Sequence, residues 1–566
     1  MLVAAPFVLT GLGAAPFDDP GEGMHAEIAS ELGRSGDPFA LTLSGARYVD
    51  KPPLLYALSA TVFAIAGRSE LTARLVPALS ALLAVAATAW LGGRLLDARG
   101  GVLAGVALLT STGFFAYARY VRPESLLVGA LAAGFALALT GLAENRRWAV
   151  AGGLAVFGVA GLVKDPLAAL TPPLALGIAL ALSGRARPLG RWLPPVGVAA
   201  CLLLAFGWWP IAELRTPGFT WYTVVDNHLL NVVRARRFPD EDVPLGAVTF
   251  LAVAVLGAAP WILAAAITTV GLVRRRAWRE TREMPWVTLA VWSAGVLLLT
   301  ALSPFRLPHY GLPAYFAIGV LAARGWREAR GSALAVVHAV GFAALAVGGA
   351  LAWSSDGSTF LRGVLGTTDV ATRKSMVAGE AGALPPWEDF QALLGVVTVV
   401  FSAGAVALAV LLAWNRRRGS GRPWAAALIV AVTTLASLPV VATALGLVST
   451  HRAVASIGRE VARRAGPDDR LVHEGPLEDS GALEWYAGRR PVIVDSRRSV
   501  LGFAATLAGA GATFWDPARL QRLWQSGGRV WLVTTRAPER SIARTLPGAR
   551  LVLASGGRWL YVNRDD

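Results

Sequence analysis

Residues 125–143 read SLLVGALAAGFALALTGLA, an uncharged run that gives way to Glu144-Asn145-Arg146-Arg147 before a second uncharged run, WAVAGGLAVFGVAGLV over 148–163, ends at Lys164-Asp165-Pro166. At ~1.5 Å rise per residue the first run is about 28 Å long as a helix, close to the ~30 Å hydrocarbon thickness of a bilayer. A helix on the surface of a soluble protein would carry a polar face. Neither run has one, so the pair predicts two membrane helices joined by an arginine turn.

Working outward, similar runs cover Met1–Pro16, Leu71–Leu96, Val102–Ala118, Pro166–Leu182, Leu193–Leu214, Pro244–Val273, Pro285–Leu302, Pro308–Ala323, Ser332–Trp353, Ala392–Trp414 and Trp424–Val448, giving thirteen candidate spans. Met1–Pro16 lacks the basic n-region of a signal peptide and predicts a retained anchor of about 24 Å. Leu54–Gly67 is shorter and predicts an interfacial or re-entrant helix. The chain of 566 residues is 55% hydrophobic and 16% charged, with mean hydropathy +0.52. Soluble proteins carry about 25% charged residues, so a soluble cytoplasmic enzyme is excluded. The lone Cys201 sits in an apolar run, which rules out an intrachain disulfide and a Cys-based zinc site.

The net charge of +16 comes from 53 Lys and Arg against 37 Asp and Glu. If Leu54–Gly67 does not cross, alternate linkers hold Arg94 and Arg99; Arg146 and Arg147; Arg185, Arg187 and Arg191; Arg274, Arg275, Arg276, Arg279 and Arg282; Arg324, Arg327 and Arg330; and Arg416, Arg417, Arg418 and Arg422. By the positive-inside rule these loops are cytoplasmic, so the basic charge is a topology signal and nucleic acid is not an expected partner. The N-terminus is then cytoplasmic, and residues 450–566 lie outside the membrane of a bacterial cell. The other face collects Phe17–Pro53, Arg119–Glu124, Lys164-Asp165-Pro166, Arg215–Val243, Ser303–His309 and Asp356–Gln391, where chemistry is expected.

The predicted organisation is a multi-span membrane domain over 1–449, with interfacial helices in a first outer loop at 17–70, and a small α/β domain over 450–566. In the latter, Ala453–Ala465, Leu483–Ala487 and Leu520–Trp524 have helical spacing, and Leu471–His473, Val492–Asp495 and Val530–Thr534 have the pattern of buried strands. Arg550–Leu553 and Arg558–Val562 predict a closing hairpin across Ser555-Gly556-Gly557. No G-x-G-x-x-G is present, so a nucleotide site is not expected.

The acids Asp18, Asp19 and Glu22, with His25 close behind, directly follow the first apolar run. Lower dielectric near an interface raises a carboxylate's basicity, which suits a general base; a solvated acidic loop is the plain alternative. Lys164 ends an apolar helix, where an ammonium needs a partner: a phosphate, or else Asp165. Glu124 opens another helix, where the dipole alone favours an acid. Acid and His pairs such as His473-Glu474 lack metal-ligand spacing, so neither a metal nor another cofactor is expected.

The ordered set Asp18-Asp19-Pro20-Gly21-Glu22, Ala26-Glu27-Ile28-Ala29, Lys51-Pro52-Pro53-Leu54-Leu55-Tyr56, Glu70 with Ala73-Arg74-Leu75, Arg122-Pro123-Glu124-Ser125-Leu126, Gly161-Leu162-Val163-Lys164 and Leu307-Pro308-His309-Tyr310-Gly311-Leu312-Pro313 resembles the bacterial aminoarabinose transferase and protein O-mannosyltransferase group. These are GT-C glycosyltransferases that use polyprenyl-phosphate sugars. The resemblance runs through the membrane part. It implies thirteen membrane helices, an amphipathic first outer loop, an extracytoplasmic C-terminal domain and inverting transfer from a lipid monophosphate. It also implies donor-phosphate contacts at Lys51, Lys164, Arg306 and Tyr310, with Arg306 in place of a more usual Lys. His228 and Arg237 match more loosely as substrate-binding residues, and His25 stands where the family often has Tyr. One departure concerns the family's Asp-Glu, which aligns with Gly21-Glu22. The base then shifts to Asp19 or Asp18, with Glu22 next, and Glu124 supplies a second acid.

The leading expectation is transfer of a sugar to a lipid or cell-envelope acceptor such as lipid A; transfer to protein Ser or Thr is the enzymatic rival. A flippase of lipid-linked sugars would place ionisable groups and broken helices near the midplane. Here the candidates sit at helix ends on one face, which favours the enzyme.

Overall fold

The computed structural model describes residues 2–329, 332–378, 384–418, 423–496 and 498–564. Met1, Arg330 and Arg422 of the sequence reading, and the far C-terminus at Asp566, lie outside the described residues.

The long apolar runs are helices. Glu70–Leu95, Glu124–Ala143, Pro195–Arg215, Thr281–Leu302, Ala333–Trp353, Trp387–Arg418 and Pro423–Arg452 are each long and apolar enough to cross a bilayer. Ala98–Leu109 with Thr112–Ala118, and Ala247–Gly257 with Ile262–Arg274, meet that standard only as pairs bent by 71° and 107°. By length and composition the described residues thus hold seven helices able to span, or up to nine if each bent pair is one span, beside shorter apolar helices at Leu54–Ala66, Arg147–Val163 and Pro166–Leu182.

Within residues 2–16 the helical stretch is shorter than the anchor expected over Met1–Pro16. Only Ala4–Leu9 is helical there, about 9 Å of rise. Gly11, at φ +68°, ends the run, and two arginines take up the released carbonyls. Arg119 donates to the carbonyls of Phe7, Val8 and Thr10, and Arg74 to those of Leu12, Ala15 and Pro16. A backbone satisfied by side chains has no need to continue as a helix.

Successive helices bring the linkers to two ends. At one end the arginine-rich turns pair with the few acids there: Arg94 and Arg146 with Glu144, Arg327 with Asp97, and buried Arg324 with Glu283 at 2.6 Å. The opposite end carries the long loops. There Gly23–Ser35 and Leu54–Ala66 form the two helices of the first loop, joined by a small hairpin of Thr42–Leu43 and Ala46–Arg47.

The helix Pro423–Arg452 runs directly into the C-terminal unit, whose six-stranded sheet sits on this second end. Parallel pairing links Phe514–Trp515, Val492–Val494, Arg470–Glu474 and Val530–Thr534 in that spatial order, and Arg558–Val562 and Arg550–Ser555 complete the sheet antiparallel. The buried core strands Leu471–His473 and Val530–Thr534 carry Val and Leu on both faces, as a covered parallel sheet requires. Two glycines allow the sheet unit to seat: a Cβ on Gly23 would come 2.4 Å from the Ala482 nitrogen, and one on Gly481 would come 2.3 Å from the Met24 nitrogen. Backbone therefore meets backbone between the first loop and the sheet unit.

Candidate active site

The three acids of the first loop have different surroundings, although all are buried. Glu22 is gripped by Arg74 through two contacts of 2.8 and 2.6 Å, and also accepts the Val121 and Asp18 backbone N–H groups at 3.0 and 3.1 Å. A carboxylate so filled is a clamp between loop and helix, and has no lone pair aimed at a substrate. Asp18 is bound by Arg452, whose guanidinium also reaches Asp369, and accepts the Tyr120 hydroxyl. A Cβ at Gly21 would lie 3.3 Å from the ring of this same Tyr120, so the departure from Asp at this position goes with a tyrosine packed over it.

Asp19 is fully buried. Its two oxygens accept the backbone N–H groups of Ala482 at 3.1 Å and Val454 at 3.2 Å, so it ties the first loop to the C-terminal unit. Burial lifts its pKa to about 7, against the opposing pull of nearby Arg558 and of those two N–H groups.

A second cluster forms at the ends of the apolar helices. Glu124, the first residue of its helix, lies 3.3 Å from Lys164 Nζ, 3.4 Å from His309 Nε2 and 3.5 Å from Arg122 Nε. Lys164 ends the helix Arg147–Val163 and its ammonium stands 4.9 Å from the Tyr310 ring centre, within cation–π range. Asp165, the alternative partner, instead caps the next helix by accepting the Ala168 N–H at 3.2 Å. Burial holds the His309 imidazole well below its usual pKa and therefore neutral. His25 likewise falls to about 3 by burial, with Arg122 adding to the effect, and its Nδ1 lies 2.9 Å from the Tyr56 hydroxyl. Lys51 pairs with Asp50, which also accepts from Asn227 at 3.2 Å. Burial would raise Asp50, but Lys51 and Arg236 outweigh it and hold the carboxyl below its ordinary range.

The structure thus brings Glu124, Lys164 and Tyr310 together, with Lys51 and His25 in the same electrostatic neighbourhood. Arg306 stands apart: its guanidinium donates to the carbonyls of Leu245, Ala301 and Ser303 and so caps a helix end. His228 Nδ1 lies 2.6 Å from the Thr223 carbonyl, inside its own helical turn, and Arg237 lies over Trp221 at 5.4 Å. Sequence reasoning did not single out Arg122 and His309 as site residues, although both stand in motifs it quoted. Arg452 and Arg558 offered no signal, being more than 400 residues from the acids they face.

A cavity of about 980 Å³ opens beside these groups, between the first loop, the 241–244 loop, the helix Val370–Val377 and the sheet unit. Among its lining residues are Asp19, Asp242, Lys374, Asp479, Arg536 and Arg558. Asp479 and Arg536 follow the adjacent parallel strands Arg470–Glu474 and Val530–Thr534, so the sheet presents its carboxyl edge, the usual ligand-facing edge of such sheets, to the cavity. Among the described residues, one acidic group, Glu27, Glu31 and Glu484, is tight enough to hold a cation. Arg34, Arg68 and Arg490 already pair with these acids and meet their charge.

Comparison with solved structures decides the architecture. ArnT from Cupriavidus metallidurans in the apo state superposes with a TM-score of 0.80 at 20% identity over 100% of this chain and 97% of that one; the same protein bound to undecaprenyl phosphate gives 0.78 at 21%, with equal coverage. The fold is that of these ArnT structures. A family model described as dolichyl-phosphate-mannose-protein mannosyltransferase matches residues 50–210 of this chain. Undecaprenyl phosphate-alpha-4-amino-4-deoxy-L-arabinose arabinosyl transferases from Enterobacter sp. and Pseudomonas fluorescens are 25% identical over 320 residues and 28% identical over 313 residues. These alignments cover 54% and 53% of this chain, and 54% and 52% of the relatives, so the chain spans about half the length of the curated relatives it matches.

Proposed function

We propose that the protein is an inverting membrane glycosyltransferase that moves a sugar from a polyprenyl-phosphate donor to a lipid or cell-envelope acceptor, lipid A among the candidates, on the outer face of the bacterial cytoplasmic membrane. The observation that carries this reading is the cluster of Lys164, Arg122, His309 and Tyr310 around Glu124 at the ends of apolar helices. Lys164 and Arg122, cations held at membrane depth beside a single acid, can exchange it for a lipid phosphate, and they stabilise the charge that grows on that phosphate as the glycosidic bond breaks. Lys51, paired among the described residues with its neighbour Asp50, can join them. The relatives named for transfer from undecaprenyl phosphate sugars support the donor class. The arginine-lined opposite end supports an outer placement for the cluster. The chemistry runs through these side chains without a metal or other cofactor. Transfer to protein Ser or Thr is the second reading, favoured by the mannosyltransferase family match.

The test supplies radiolabelled undecaprenyl-phosphate pentoses and hexoses to purified protein in detergent. Lys164→Ala is expected to weaken undecaprenyl phosphate binding roughly tenfold or more, the effect of losing one charge-assisted contact of about 1.5–3 kcal/mol. Unchanged binding and turnover in this variant would reject the donor site.

A further inference from the structure

The geometry points to Asp242 as the general base that takes the proton from a neutral hydroxyl acceptor, such as a glycolipid sugar, bound in the cavity between the membrane helices and the C-terminal sheet. This rests on the transferase reading above and names the acceptor class and the base within it.

The argument begins with elimination among the acids lining that cavity. Asp19 spends both oxygens on the Ala482 and Val454 N–H groups and has no exposed surface. Glu241 is paired with Lys374 at 3.0 Å and Arg536 at 2.9 Å, and Asp479 with Lys374. Glu539 is exposed and lies on the sheet side. Asp242 differs from all four. Its backbone N–H is used, donating to Asp240 at 3.1 Å, but among the described residues no donor reaches its carboxylate, and the residue lines the cavity. Asp242 is half-buried, so a ligand or water in the cavity can complete its carboxylate.

Its surroundings join the cavity to the donor cluster. The charged and titratable groups that act on it are Asp240 and Glu241 in its own loop, Lys374 on the helix Val370–Val377, Arg122 beside Glu124, Tyr310, and Asp479 from the sheet unit. Arg122 and Tyr310 belong to the cluster assigned to the donor phosphate, so Asp242 lines the cavity within electrostatic range of that cluster. Burial, with Asp240 adding its charge, raises the Asp242 pKa to about 7, a value suited to a base at neutral pH.

The lining also bears on the acceptor. Six basic residues face five acidic ones, and Lys374, Arg536, Glu241 and Asp479 pair with one another across the cavity wall. An acceptor phosphate calls for an excess of positive charge, and it needs no base. A nearly balanced wall with one open carboxylate suits hydroxyl groups, which donate to acids and accept from arginines. In the step, the acceptor oxygen bonds to the anomeric carbon as its proton passes to Asp242. The bond from that carbon to the phosphate oxygen breaks and the electron pair leaves with the polyprenyl phosphate. Asp242 then releases its proton to water.

Full-length protein in detergent is assayed with radiolabelled undecaprenyl-phosphate sugars and two acceptors, a long-chain alkyl glycoside and a diphosphorylated lipid A, alongside binding of undecaprenyl phosphate. Asp242→Asn should lower kcat for the alkyl glycoside by roughly a hundredfold or more, the range for a lost general base, while undecaprenyl phosphate binds as to wild type. The wild-type rate should rise with pH through about 7, a limb absent from the variant, and Asp242→Glu should restore part of the rate. Asp242→Asn turnover within threefold of wild type, or wild-type transfer to phosphate but not to hydroxyl, would overturn the assignment and leave the transferase reading intact. Wild-type protein that consumes none of the donors would overturn both.

Discussion

At the scale of single residues, burial rather than proximity in sequence sorts the acids of the first loop. Asp18, Asp19 and Glu22 lie within five positions, yet one is held by Arg452, one by two backbone N–H groups and one by Arg74. Asp19 has a consequence for stability. In the unfolded chain its pKa is near 3.8, and in the folded protein about 7. Between these values the folded state keeps a proton that the unfolded chain has lost. The contribution of Asp19 is therefore fully present below about pH 4 and disappears as the pH rises to about 7, a swing of about 4 kcal/mol. Melting of wild type and Asp19→Asn in detergent from pH 4 to 8 should show the advantage of the wild type over the variant shrinking across this window; parallel curves would contradict the account. These acids, Lys164 and Glu124 were legible as candidates from residue type and position at helix ends. Their partners were not, because Arg452, Ala482 and Arg558 reach them from the far end of the chain.

At the scale of elements, apolar length and charged turns were enough to find the helices, since a bilayer demands both. The C-terminal helices and strands were also readable: Leu483–Ala487 and Val530–Thr534 appear with the expected bounds, and the hairpin closes across Gly556 and Gly557. Hydropathy did not show how short the helix within residues 2–16 is, because it does not register carbonyl acceptors. Arg119 and Arg74, from helices distant in sequence, satisfy that backbone in a non-helical path. The bent pairs were also invisible as bends, since each reads as one apolar run. Arg119→Ala should therefore free the carbonyls of Phe7, Val8 and Thr10, and amide exchange over residues 4–13 should rise by roughly tenfold or more, one lost network of about 1.5–3 kcal/mol, with the helix Glu124–Ala143 unchanged. Equal exchange in both proteins would show that the arginine does not hold this segment.

At the scale of the whole molecule, chain ends and loops converge on one end of the helical bundle. The first loop, the 241–244 loop, the helix Val370–Val377 and the carboxyl edge of the sheet enclose the cavity, and Lys374 binds Glu241 and Asp479 across it. The arginine turns occupy the other end, and charge of that sign in short loops stays in the cytoplasm. The central claim is that the Lys164 cluster and the C-terminal sheet share the outer face, and sidedness tests it most directly. In a Cys201→Ser background, single cysteines placed by Ser35→Cys, Ser526→Cys and Asn145→Cys are treated with a membrane-impermeant maleimide in intact spheroplasts. The first two should label at once, and the third only after permeabilisation. Labelling of Ser35→Cys and Ser526→Cys from opposite sides, or of Asn145→Cys from outside, would contradict the account.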